Sequence, residues 1–365
     1  SYLASASFSL GVAAVAAALD TTVIQRDTRA FISGALLASR ASTEVLAAST
    51  QFASSLLASA GGGIVGTAGN ATLVIAKGTT EARVDKGSEL QVGSLLVSAD
   101  ALQQFSANAL ALAGGLVGVG ANFGLVLNQA VTRAWVGEAL NASNSLADSR
   151  VQAGSVTLRA RGNTELHSNL VGAAAGGGAV AGSALVQVVE TTTEAGASQA
   201  LFGTGAAPLS SLDINAHDNL RVTGNVGSGV VGAAALGASA NVVVANSATR
   251  ALLDRSTVHA GSLSVNALRE GYAELLTTSG GLGFASLSGS LGLLLLGSGA
   301  TQVSAGGSTV DPLSYLNKDG QGTLAKLDKL SSTGPVTELN HDEVVWDDAS
   351  QRYTRVTVSD KADAE

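Results

Sequence analysis

The sequence predicts an all-β protein, a parallel β-helix (β-solenoid) built from Gly/Ala/Val-rich repeats of about 52 residues. Three observations carry that expectation. A 35-residue step recurs between Ala47 and Ala82, Ala99 and Ala134, Ala160 and Ala195, and Ala216 and Ala251, with a 36-residue version between Ala267 and Val303. Each step opens on period-two alternation, as in Leu95/Val97/Ala99, Val156/Leu158/Ala160 and Leu212/Ile214/Ala216, which places alternate residues on one face of a strand. Each closes on an exit triplet, and the triplets start at residues 28, 80, 132, 193, 249 and 301, spaced by 52, 52, 61, 56 and 52.

Along the chain, residues 1–30 read as the second half of one repeat, ending in Thr28-Arg29-Ala30. The triplets Thr80-Glu81-Ala82, Thr132-Arg133-Ala134, Thr193-Glu194-Ala195, Thr249-Arg250-Ala251 and Thr301-Gln302-Val303 follow. Length varies only in the links between repeats, and the two longest carry turn chemistry near Asn141 and Pro208. A constant core with variable links is the mark of stacked repeats with loops on one side. Residues 1–305 form this repeat region, and residues 306–365 read as a charged cap, a linker or the start of another module. In that tail, residues 322–332 could form a short helix, and Val344-Val345-Trp346 should face the stretch from Tyr353 to Val358 in a hairpin.

Composition sets the bounds. Gly supplies 45 residues, aromatics 4% and charged residues 13%, so the core must be thin layers of small side chains. The three prolines, Pro208, Pro312 and Pro335, all lie outside the 35-residue steps, as hydrogen-bonded strands require. There is no cysteine to misoxidise in an oxidising compartment. A net charge of −8 without a basic stripe argues against nucleic acid as partner. The chain opens in mid-pattern, which suggests a piece of something longer.

Two other architectures suit the uncharged middles. Residues 170–189 and 282–300 are long enough for glycine-zipper membrane helices. Their Gly, Ser, Asn, Thr and Val are poor helix formers, and flanking Lys/Arg anchors are scarce. A membrane β-barrel would show aromatic girdles, which these segments lack.

The segments AGGLVGVGANFGLVLNQAVTRAWVG and VVGAAALGASANVVVANSATRALL, followed by AGSLSVNA, resemble repeats of large secreted Gram-negative exoproteins. These are the filamentous-haemagglutinin-like and leukotoxin-type filamentous adhesins. The resemblance covers about residues 1–305. It implies a right-handed parallel β-helix, exported through an outer-membrane transporter and displayed on the cell surface. A rigid stalk whose loops attach to a host cell, matrix or neighbouring bacterium is the expected function. A membrane-active toxin segment is the alternative.

No catalytic constellation stands out, and no cofactor or metal is expected. The histidines His167, His217, His259 and His341 sit at unrelated repeat phases, without metal-ligand spacing. Gly115-x-x-Gly118-x-Gly120 lacks the Lys-Ser/Thr of a phosphate loop. Asp342, Glu343, Asp347 and Asp348 read as a solvated acidic turn. Asn70 and Asn141 each begin a glycosylation sequon. The repeat core has almost no carboxylates with which to build a polysaccharide-processing groove. Recognition is expected in the longest links, at Asn141, Asn144 and Phe202, and self-association end to end or laterally is a further expectation.

Two geometric expectations follow. With two rungs per repeat, the chain would make a rod of on the order of ten rungs and roughly 50 Å; three shorter rungs, or one long flattened rung, also fit the spacing. The central residues of the triplets, Arg29, Glu81, Arg133, Glu194, Arg250 and Gln302, alternate in sign and should form one outer ladder if the triplets stack as neighbours.

Overall fold

The computed structural model describes residues 2–137 and 148–297, together with the backbone of 338–347 and 352–361. The chain divides into two compact units, Ser1–Ser298 and Gly299–Glu365.

All regular structure among the described residues is β. Six folded rungs make up the first unit: β1 (Tyr2–Ile32), β3 (Ser42–Asp85), β4 (Glu89–Gly137), β5 (Ser149–Ser198), β7 (Leu209–Asp254), and a last rung shared by β9 (Ala260–Leu282) and β10 (Ala285–Leu296). Short strands β2 (Leu36–Ala38), β6 (Ala200–Phe202) and β8 (Thr257–Val258) lie in the links. These ten strands form a single open sheet whose pairings are parallel. The segment 170–189, a helix candidate by length, lies inside β5 instead. No helix among the described residues is long and apolar enough to cross a membrane.

The register fixes the number of rungs. Thr28 pairs with Thr80, Thr80 with Thr132, Thr132 with Thr193 and Thr193 with Thr249. Each repeat therefore contributes one long rung, not two. Six rungs at the spacing of paired strands give a stack about 24 Å high, and the ten-rung rod is corrected. Spacing alone does not say where a chain turns. The chain here runs straight through some 20 residues before reversing, so that an arm is about 65 Å long.

Each rung runs out along a rising arm, reverses at a tip and comes back along a return arm. The two arms face one another. Ser55 and Thr72 hydroxyls meet at 3.0 Å, Asn128 Nδ2 donates to Gln103 Oε1 at 3.0 Å, and Gln187 Nε2 donates to Ser168 Oγ at 2.8 Å. Near the links the core is aliphatic and draws on both arms and the base strands: Leu90, Val97, Val136, Val151, Leu158 and Ile214 belong to one cluster. Towards the tip it narrows to alanine, with Ala111, Ala113, Ala174, Ala179 and Ala181 packed together. Small inward side chains let the two layers approach. A Cβ on Gly61 would lie 2.2 Å from the carbonyl oxygen of Thr67 on the opposite arm.

The reversal is held by a column of glycines, Gly11, Gly63, Gly115, Gly176, Gly232 and Gly283. A Cβ on Gly63 would stand 1.8 Å from the carbonyl oxygen of Gly11, and one on Gly115 2.1 Å from that of Gly63. The contact repeats up the stack, at 2.2 Å for Gly176, 2.4 Å for Gly232 and 1.9 Å for Gly283. The bend brings each backbone against the one below, and only glycine leaves room.

In the second unit, β11 (Glu338–Asp347) and β12 (Arg352–Lys361) pair antiparallel, with Val345 opposite Thr354 and Trp346 opposite Tyr353. This is the hairpin expected from the sequence. The helix expected at 322–332 lies outside the described residues.

Candidate functional site: the outer faces of the stack

The outer surface divides into a charged band near the links, a polar field on the rising arms and an apolar expanse around the tips. The charged band is the exit-triplet ladder. Arg29, Glu81, Arg133, Glu194 and Arg250 occupy successive rungs in direct register. Arg133 Nη2 reaches Glu194 Oε2 at 2.6 Å, and Arg250 Nη1 reaches Glu194 Oε1 at 3.0 Å. Arg29 Nε lies 3.8 Å from Glu81. The described residues thus hold the contiguous ladder that alternation of sign predicted. Gln302, the sixth member, lies outside them.

On the rising arms, an asparagine column runs outward-facing through Asn108, Asn169 and Asn225. Asn169 Nδ2 donates to Asn108 Oδ1 at 2.8 Å, and Asn225 Nδ2 to Asn169 Oδ1 at 2.8 Å. Beside it is a shallow hollow lined by Glu165, His167, Arg221, Thr223 and Glu274. His167 Nδ1 shares a 2.6 Å hydrogen bond with Thr223 Oγ1. The Tyr272 hydroxyl donates to Glu274 at 2.6 Å, and the carboxylate it faces raises the phenol above its usual value. Glu165 and Glu274 are thus both engaged locally, Glu165 with Gln104 Nε2 at 3.0 Å. Among the described residues no group of three or more His, Cys, Asp or Glu could hold a metal ion.

Beyond these groups, charge ends. Residues 45–76, 101–132, 166–189, 222–249 and 275–296 contain no Asp, Glu, Lys or Arg. In β1 the one charged residue of the equivalent stretch, Asp20, is buried. Outward positions on the return arms form apolar columns from rung to rung: Val23, Ile75, Leu127, Val188, Val244 and Leu295 make one. Leu73, Leu125, Val186, Val242 and Leu293 make the next, with Thr21 at its first rung. At the tips, Ile64 is 54% exposed, Leu116 66% and Val231 54%, and Phe123 on the return arm is 47% exposed.

The inward positions of the arms include polar columns among apolar residues such as Val126, Leu185 and Val189. Asn70, Asn122, Ser183 and Ser239 form a buried column, tied by Asn70 Nδ2 to Asn122 Oδ1 at 2.9 Å and Asn122 Nδ2 to Ser183 Oγ at 3.4 Å. Gln51 and Gln103 form another, joined at 3.2 Å. Asp218, also buried, accepts from Thr193 Oγ1 at 2.9 Å and Thr191 Oγ1 at 3.3 Å. The interior of the arms is therefore mixed, with these polar columns set between apolar clusters such as Phe105, Leu166 and Val189 or Leu57, Leu170 and Leu185, while the outer faces towards the tip are apolar as well. The signal that separates the two faces is the alternation itself: in ANFGLVLNQA, the inward set is Asn122, Gly124, Val126, Asn128 and the outward set is Phe123, Leu125 and Leu127.

The proposed recognition positions fare differently. Asn141 and Asn144 lie outside the described residues. Phe202 is 0% exposed and packs in the basal core with Val151 and Leu209. Its ring closes the stack under the link and is not presented to a partner, because an aromatic flanked by Leu201 and Gly203 is drawn into the nearest apolar layer. The exposed part of that link is the turn at 204–207, where Thr204 and Ala207 exchange backbone hydrogen bonds at 3.0 and 3.1 Å. The sequon at Asn70 is no glycosylation site in the folded chain, since its Nδ2 is buried and donates to Leu110 O at 2.7 Å.

No family model, no curated protein and no solved structure matches the chain.

Proposed function

We propose that the chain is a β-solenoid segment of a secreted surface protein, serving as a rigid spacer that holds attachment surfaces away from a Gram-negative cell. The observation that carries this reading is the in-register pairing of successive rungs along both arms, on either side of the tip. Such a stack shares load over dozens of backbone hydrogen bonds per rung and can be lengthened by adding rungs. The repeat type is a parallel β-helix with one flattened rung per repeat. Export through an outer-membrane transporter fits a cysteine-free chain, which crosses an oxidising compartment without forming disulfides. The partner in attachment is a host cell, matrix or neighbouring bacterial surface, and no nucleic acid is involved.

The test is adhesion of beads carrying the purified chain to cell and matrix-coated surfaces under flow. Retention well above that of albumin-coated beads supports the reading. Equal retention on every surface contradicts the attachment role.

A further inference from the structure

We infer that the tip of the folded rungs is a lipid-binding edge, whose apolar outer faces insert into the hydrocarbon of one bilayer leaflet. This goes beyond the spacer reading and does not depend on it.

The first argument is the apolar outer face. A sheet pair in water turns its apolar residues inward. Here the buried distal positions include Asn70, Asn122 and Ser183, while Ile75, Leu127 and Val188 face outward. An apolar outward face is the pattern of strands in lipid. The side-chain amide nitrogens of that interior, on Asn70, Asn122, Asn128 and Gln187, donate within the stack.

The second argument is that the apolar surface wraps the tip. Leu110 and Leu112 on the rising arm, Leu116 at the turn and Phe123 on the return arm are all exposed. A second copy of the chain docking face to face would cover one arm and leave the other in water. A fluid hydrocarbon phase covers both arms and the turn at once. Exposed contiguous patches of this kind mark interaction or membrane sites.

The third argument is length. On the rising arm the apolar zone runs from Leu110 to the tip, about 16 Å at strand rise, and stops at the asparagine column of Asn108 and Asn169. That depth matches one leaflet, about half of a ~30 Å hydrocarbon core. The return arm stays apolar further, to Leu127, so the blade would lie tilted with its return face down. Backbone edges at the two ends of the described stack would need pairing in hydrocarbon, and chains stacked rung on rung would supply it.

The chain has no cysteine, so single labels can be placed cleanly. The experiment compares Leu116→Cys, at the tip, with Gly205→Cys, in a link where an added Cβ meets nothing within 4 Å. Each carries a polarity-sensitive fluorophore and is mixed with phosphatidylcholine vesicles at low and high salt. The Leu116 label should shift to the blue and be quenched by lipid-attached quenchers at both salt levels, while the Gly205 label stays unchanged. The pair Val180→Glu with Leu236→Lys puts opposite charges on neighbouring rungs of the exposed face, and should reduce vesicle flotation about tenfold or more while the strand spectrum is kept. If that variant misfolds, the label comparison decides alone. The proposal is overturned if neither label responds, if both respond alike, or if the response vanishes in high salt. It is also overturned if the Leu116 label is already blue-shifted in lipid-free buffer by self-association. Because the vesicles carry no protein, failure here leaves bead adhesion to matrix untouched.

Discussion

Arg133 and Glu194 stand 61 residues apart and face each other directly across neighbouring rungs, their guanidinium and carboxylate 2.6 Å apart. The Glu194 side chain is only 3% exposed and receives Arg250 from the other side. Replacing it with glutamine removes the charge from three charge-assisted hydrogen bonds, two from Arg133 and one from Arg250. Glu194→Gln should destabilise the stack by about 1–3 kcal/mol, moderated because both arginines keep contact with water. Chemical denaturation of the wild type and variant checks it.

Glu81 sits between Arg29 and Arg133 in the same column. Glu81→Arg would place three guanidinium groups on consecutive rungs. Like charges opposed across strands destabilise by about 0.2–1 kcal/mol per pair, and adding salt should recover part of the loss. A stability difference that does not change with salt would mean that the ladder is held by packing alone.

The tip glycines make a paired prediction. Gly115→Ala drives a Cβ to 2.1 Å from Gly63 O, whereas an added Cβ on Gly114 meets nothing within 4 Å. Gly115→Ala should cost on the order of 1–3 kcal/mol, and Gly114→Ala about 0.5 kcal/mol or less. Thermal melts of the two variants side by side give the comparison.

Phe202→Ala should cost about 3–5 kcal/mol through the cavity left in the basal core. Ala206→Ser, in the exposed turn of the same link, should leave the melting temperature unchanged. Equal, small effects would place Phe202 outside the core.

Asp254 gives a pH dependence. Its carboxylate accepts from Arg255 Nε at 3.0 Å and from Ser198 Oγ at 3.0 Å, and these bonds hold it below its usual value, the arginine most strongly. A depressed folded value means that the stabilisation is in place above about pH 4 and is lost as pH falls through the folded value. Titration of a reporter at this corner should show loosening on acidification. Asp254→Asn should abolish that step.

Much of the fold was legible because stacking forces identical chemistry onto one register. Thr28, Thr80, Thr132, Thr193 and Thr249 recur in sequence because they pair in space. The number of rungs per repeat was not legible, since a strand may run eight residues or twenty before turning. What marks the turn is the glycine whose Cβ would strike the next backbone, and among 45 glycines Gly115 carries no local label. The apolar outer surface was hidden for another reason. Hydropathy averaged along Ala107 to Val131 is high whichever face carries the leucines. Phe202 was misplaced because a link rich in Gly, Ala and Pro gives no hint that its first aromatic folds under the stack.

One rung per repeat is the claim on which the rest stands. Gln25 and Asn246 lie on the outer return face and are connected through Lys77, Gln129 and Glu190, one rung at a time. Spin labels at Gln25→Cys and Asn246→Cys, measured by pulsed electron resonance, read the number of intervals directly. Four intervals place the two backbones about 19 Å apart. A separation near 38 Å would mean two rungs per repeat and would contradict the stack described above.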